Sequence, residues 1–163
     1  MLRIVKRSSD IPKSALFSIC RESLLEQGRR EYPSSPEGQA LEQAELDLWE
    51  YLRTVFFSQH GLYAFWEKEG RPVSALRLEP FRDGMLLEAL ETMPEERCKG
   101  NAKALIAAVQ KEFCPCVLYS HVAKDNLPSL KVHRECGFTE ESDHAVFVDG
   151  SVSSRYFTLR CKG

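Results

Sequence analysis

Hydrophobic positions along the chain change period several times, and each change marks a boundary between elements. Residues 2–7, Leu-Arg-Ile-Val-Lys-Arg, alternate as an opening strand does. From Ile11 to about Gly28 the apolar residues Ala15, Leu16, Ile19, Cys20 and Leu24 share one helical face, with Asp10 as a cap and Pro12 in the first turn. After the loop-forming stretch Tyr32–Gly38, a second helix is expected from Gln39 to about Ser58. Its stripe runs through Leu41, Ala44, Leu48, Leu52 and Val55, and Trp49, Phe56 and Phe57 widen it. His60-Gly61 closes that helix and the period falls to two. Leu62–Lys68 and Val73–Glu79 then form a hairpin across Glu69-Gly70-Arg71-Pro72, and Phe81–Gly84 turns the chain into a third strand, Leu86–Thr92. Pro94 cannot donate to a ladder, so the strand ends before it.

The segment beyond that strand organises the rest of the chain. Ala102, Leu105, Ile106, Val109 and Phe113 carry the spacing of one helix face. Between strand and helix lies Arg97-Cys98-Lys99-Gly100-Asn101-Ala102, a short basic loop. Consecutive backbone N–H groups at the positive end of a helix, flanked by Arg97, Lys99 and Lys103, make an anion site suited to a pyrophosphate. Gly100 keeps a side chain out of the ligand's path to the backbone. Val117–Val122 is the next strand. A helix capped by Asn126, with Pro128 in its first turn, then runs over Ser129–Cys136 and stops at Gly137. Final strands are expected over Ala145–Asp149 and Arg155–Cys161.

Composition narrows the class. A chain of 163 residues forms one domain by size, and a formal charge of −2 with 43% hydrophobic residues gives no bulk basic surface for nucleic acid. No apolar run reaches the length of a membrane span, and charges interrupt the first twenty residues, so a cytoplasmic protein is expected. Six cysteines lack metal-site spacing, having only Cys114-Pro115-Cys116, and read as reduced thiols with no metal bound. Cys98, in the basic loop, is the one placed for reactivity. Neither GxGxxG after a first strand nor GxxxxGK[ST] occurs, which argues against a Rossmann domain and a nucleoside triphosphatase.

Two segments resemble the acyl-CoA-binding core of the GNAT superfamily of N-acetyltransferases. Arg97-x-x-Gly100-x-Ala102, preceded by Leu90-x-Thr92-x-Pro94, is similar to the family's Arg/Gln-x-x-Gly-x-Gly/Ala signature. Asn126-x-x-Ser129-x-x-Val132-His133-x-x-x-Gly137-Phe138 is similar to its Asn-x-x-Ala-x-x-Leu-Tyr-x-x-x-Gly-Phe segment. The likeness is clear from Val73 to Phe138; residues 1–60 match by element order alone and shape the acceptor site in that family.

The resemblance implies a single α+β domain, with residues 1–60 serving the acceptor, 62–138 the cofactor core and 139–163 the closing strands. The expected sheet is mixed, mostly antiparallel and twisted, of about six to seven strands with one splayed parallel pair, flanked by about four helices. It further implies that the pantetheine arm of acetyl-CoA pairs with the backbone of Leu90 and Thr92, beside a bulge that frees an N–H for the thioester carbonyl. Its pyrophosphate would rest on Cys98, Lys99, Gly100, Asn101, Ala102 and Lys103, with Arg97 beside it and Asn126 and Ser129 across the arm. The acceptor, a primary amine of a small molecule or peptide, would attack the thioester directly. Glu91 is the candidate base, with Glu88 as second choice, and His133 stands where the family usually has the Tyr that protonates the leaving thiolate. His121 reads as structural or pocket-lining rather than catalytic, and His60 and His144 as surface residues. A non-catalytic acyl-CoA sensor of the same fold is the alternative, and either a monomer or a homodimer fits.

Overall fold

The computed structural model describes residues 1–162; Gly163, the last position of the expected closing segment, lies outside the described residues. In chain order the elements are β1 (Leu2–Val5), α1 (Lys13–Ile19), α2 (Arg21–Glu31), α3 (Glu37–Tyr51), β2 (Leu62–Lys68), β3 (Arg71–Phe81), β4 (Gly84–Thr92), α4 (Asn101–Phe113), β5 (Val117–Ala123), α5 (Leu127–Glu135), β6 (Thr139–Ser142), β7 (Ala145–Val146), β8 (Val152–Ser153) and β9 (Tyr156–Lys162). Seven strands form one sheet in the order β1-β2-β3-β4-β5-β9-β6, in which β4 and β5 are the parallel pair. β7 and β8 form a separate small ribbon.

Strand alternation sends neighbouring side chains to opposite faces, and each face has its own helices. Tyr63, Phe65, Ala75 and Met93 pack with Leu16, Ile19, Leu24, Leu41 and Ala44 of α1–α3. Ala64, Leu76, Leu78, Leu87, Leu118 and Val122 pack with Leu105, Ile106 and Val109 of α4 and Leu130 of α5. The three α4 side chains are fully buried, each worth about 1.5–3 kcal/mol of apolar transfer, so this stripe is what holds α4 to the sheet.

Several expected boundaries are corrected. The first helix is two helices, because Cys20 (φ −88°, ψ 8°) leaves helical geometry and serves as the cap of both. Pro12 is the residue before α1, and Asp10 belongs to a preceding 3-10 turn. The second helix gives way after Tyr51 to a π turn over Leu52–Phe56 and a 3-10 turn over Phe57–Gln59. The extra residue per turn rotates the stripe, so Val55 is 38% exposed and Phe56 takes the buried position. His60, at φ 64°, then ends the helix as expected. At the C-terminal end, Ala145–Asp149 does not join the main sheet; β7 covers only Ala145–Val146, and the unanticipated β6 occupies the edge beside β9.

A candidate active site where two strands part

β4 and β5 pair from Gly84–Val117 to Leu87–Ser120 and no further. Ser120 Oγ donates to the Leu87 carbonyl at 3.0 Å, marking the last point of contact. Beyond it both strands continue, to Thr92 and Ala123, and each stays paired on its outer side: β4 with β3 as far as Ser74–Thr92, β5 with β9 as far as Ala123–Tyr156. Two inner strand edges are therefore left without a partner, and a strand-like ligand is what such edges accept. The wedge opens into a cleft of about 660 Å³ lined by residues of β4, β5, α2 and α5.

β4 carries one extra residue against β3, since Ala75 pairs with Glu91 but Arg77 with Glu88. The bulge sits at Ala89-Leu90, with Ala89 at φ 47°. Ser74 fixes the strand beyond it, donating to the Glu91 carbonyl at 2.7 Å with its Oγ 2.8 Å from Thr92 Oγ1.

The loop after β4 is shaped by two left-handed residues, Cys98 (φ 58°) and Gly100 (φ 79°). Bonding into α4 begins with Ala104 N–H to the Gly100 carbonyl at 2.9 Å, so the amides of Asn101, Ala102 and Lys103 precede the ladder. A Cβ at Gly100 would meet no atom within 4 Å, so the space over the loop is open. The side chains around it are engaged elsewhere. Arg97 donates to the Thr92 carbonyl at 3.1 Å and to Glu22 of α2 at 2.7 Å. Lys99 pairs with Glu96 at 3.4 Å and Lys103 with Glu135 at 3.2 Å. Asn101 is buried, its amide donating to the Glu96 carbonyl at 2.9 Å, which makes its side chain part of the loop's frame. The cradle is thus main chain first and side chain second.

On the α1–α3 face, Glu91 lines the cleft and accepts from Ser23 Oγ at 2.7 Å. Burial pushes its carboxyl above the ordinary carboxylate range, against hydrogen bonds from Ser23 and Cys20 and the charges of Arg97 and Arg77. Glu88 is also raised by burial and lies 3.6 Å from Arg77, whose charge opposes that rise. Arg77 sits over the rings of Tyr51 and Phe56, and its buried Nε has no partner. His121 is clasped edge-on by Phe81 and Phe147, both ring nitrogens without partners, and burial lowers its proton affinity. The structure thus brings His121 and Glu88 into the cleft wall beside Glu91.

Across the wedge, Asn126 caps α5, its Oδ1 accepting from Ser129 N–H at 3.2 Å. His133 is 1% exposed and packs edge-on against Phe138. Its Nδ1 lies 2.8 Å from the Ser129 carbonyl, an acceptor only, which places the proton on Nδ1; Nε2 is buried with no partner. Burial lowers its proton affinity, partly offset by that backbone bond. His60 and His144 are exposed.

Ser23, Cys20, Tyr63 and Arg77 also line the cleft, with Tyr51 packed against Arg77, and sequence reasoning did not single them out as site residues. Arg77 had a signal: a lone charge inside the apolar strand run Val73–Leu78. Ser23 had none, because its partner lies sixty-eight positions away.

These features coincide with a known sequence pattern: residues 21–138 match the family model described as the acetyltransferase (GNAT) family. The chain belongs to the GNAT family. Solved structures agree on the fold. The N-acetyltransferase PaiA from Thermoplasma acidophilum, in complex with coenzyme A, superimposes with a TM-score of 0.67 at 14% identity, over 100% of this chain and 99% of that one. The IAA acetyltransferase of Bacillus cereus gives 0.61 at 18% identity, covering 100% and 99%. YncA of Salmonella typhimurium, a structure with acetyl-CoA, gives 0.59 at 16% identity, covering 99% and 92%. Among curated proteins no sequence matches this chain. The splayed parallel pair in a seven-stranded mixed sheet is the GNAT architecture expected from the sequence. No helix among the described residues is long and apolar enough to cross a membrane, no described cluster of His, Cys, Asp and Glu is placed to hold a metal, and all six cysteines are free.

Proposed function

We propose that this GNAT protein moves an acetyl group from acetyl-CoA to a primary amine of a small molecule or peptide, by direct attack while both substrates are bound. The observation that carries this reading is the pair of unpartnered strand edges opening beyond Leu87–Ser120 into a cleft that also contains Glu91 and His133. The residues present fit acetyl-CoA. Leu90 and Thr92 offer backbone groups to its pantetheine arm, the amides from Cys98 to Lys103 offer a cradle to its pyrophosphate, and the open space over Gly100 admits that group. Arg97, Lys99 and Lys103 add positive charge from the rim, and Asn126 and Ser129 close the opposite wall. When bound, acetyl-CoA supplies an acetyl group activated as a thioester.

The chain's own work is positioning and proton transfer. Glu91, with its raised proton affinity, takes the proton from the acceptor's ammonium and frees the nitrogen to attack. The bulge at Ala89-Leu90 breaks the β3–β4 ladder beside the wedge, and a backbone N–H freed there would serve the thioester carbonyl oxygen where charge develops. His133, with Nδ1–H committed to the Ser129 carbonyl, can serve the departing sulfur as an acid only from its doubly protonated form, through Nε2–H, and burial makes that form the scarcer one. Calorimetric titration with acetyl-CoA, joined to a thiol-release assay over a panel of amines, tests the proposal. Binding with release from at least one amine is expected. Binding without release from any amine would replace it with the sensor reading, which the neutral His133 favours, and absence of binding would remove both.

A further inference from the structure

The acceptor helix α2 grips the tail of β4 through its first turn. Glu22 holds Arg97, which in turn donates to the Thr92 carbonyl, while the next residue, Ser23, reaches Glu91. Ser23 Oγ lies between two acceptors, Glu91 Oε1 at 2.7 Å and the Cys20 carbonyl at 2.9 Å. That carbonyl already accepts from Leu24 N–H and has a second lone pair for the hydroxyl. Cys20 is also where α1 stops and α2 starts.

A serine hydroxyl has one proton to give. When Glu91 is ionised, the proton goes to the carboxylate in a charge-assisted bond. When Glu91 is protonated, the carboxyl O–H donates to Ser23 Oγ and the serine proton turns to the Cys20 carbonyl. Both states are fully bonded, and Glu91 Oε1 keeps the same neighbour in each. We propose that Ser23 is the positioning residue of Glu91, a rotating hydroxyl that holds the carboxyl in one orientation through its proton cycle. This rests on the reading of Glu91 as the base. The other groups acting on Glu91 are the Cys20 thiol, Tyr63 of β2, Arg77 of β3 and Arg97 of the loop, and none of them changes when Ser23 does.

Two readouts separate this proposal from the one beneath it. The first is a carbon NMR titration of the Glu91 carboxyl in the intact protein, assigned by its loss in Glu91→Gln. Ser23→Ala removes the hydroxyl donor to the carboxylate and leaves the Cys20 thiol in place, and the Glu91 titration is expected to move up by about one pH unit. Ser23→Thr keeps the hydroxyl and is expected to restore the wild-type value, with coenzyme A affinity equal in all three proteins. The second is the pH profile of thiol release, whose acidic limb should shift with the titration while the plateau changes only a few-fold. A Glu91 titration unmoved in Ser23→Ala overturns the role of Ser23 alone. An acidic limb that persists in Glu91→Gln overturns the base assignment, and the Ser23 role in catalysis with it.

Discussion

The two sides of the cleft are built from different materials. The proposed cofactor side is backbone: two strand edges, a bulge, and the amides ahead of α4, with its side chains tied into Glu22, Glu96 and Glu135. The proposed acceptor side is side chain: Ser23 with Glu91, Arg77 with Glu88, and His121 between two phenylalanine rings, drawn from four elements. Main-chain recognition suits a ligand that never changes, and side-chain recognition suits one that evolution exchanges. The contrast makes a physical prediction: single side-chain deletions should be mild on the first side and severe on the second.

The largest expected effect comes from filling the main-chain cradle. Gly100→Glu places bulk and negative charge over the amides and should abolish coenzyme A binding in calorimetry. With no atom near the new Cβ, the fold should lose only the strain of a side chain at φ 79°, about 1–3 kcal/mol, read as a fall of a few degrees in melting temperature. Retained binding would mean the amides are not the cradle. On the other side, Glu91→Gln should lower turnover about 10³-fold at unchanged cofactor affinity. The wild-type rate should rise with pH through a value above the ordinary carboxylate range, because the base works ionised and burial resists ionisation. The same raised value makes Glu91 most favourable to folding at low pH, and this contribution is lost as pH rises through it. Glu91→Gln should therefore melt higher than wild type at neutral pH and lose that advantage in acid.

His133→Phe should cost about 10²-fold in turnover and little in affinity, and equal losses in both would make the ring a structural part of the arm's wall. The smallest effect sharpens the contrast most. Arg97→Ala removes an exposed cation already shared with Glu22 and Thr92, so coenzyme A affinity should fall about threefold, as expected of a pair worth under ~1 kcal/mol. A hundredfold loss would show that Arg97 leaves Glu22 to grip the phosphates.

The same contrast explains what the sequence disclosed. Leu86–Thr92, the loop to Ala102 and the α5 segment are legible because their signals are local: a two-residue period, a glycine at positive φ, a helix stripe and an Asn cap. The bend at Cys20 and the π turn after Tyr51 left no mark in hydrophobic spacing, since a bent helix and a straight one share nearly the same stripe. β6 was missed because Thr139–Ser142 is polar on both faces, as an edge strand can be. The Ser23–Glu91 and Arg77–Glu88 pairs depend on tertiary assembly, and no one-dimensional pattern encodes them.

Gly84 gives the cleft a remote control. A Cβ at this position would fall on the Val117 carbonyl oxygen, so the base of the β4–β5 seam closes only because the side chain is missing. Any larger residue would prise the seam apart at its foot, and two stiff ribbons pried at the foot change their angle at the tip. The gape of the cleft is thus calibrated from its far hinge, where a change in sequence would retune the proposed grip on coenzyme A from a distance.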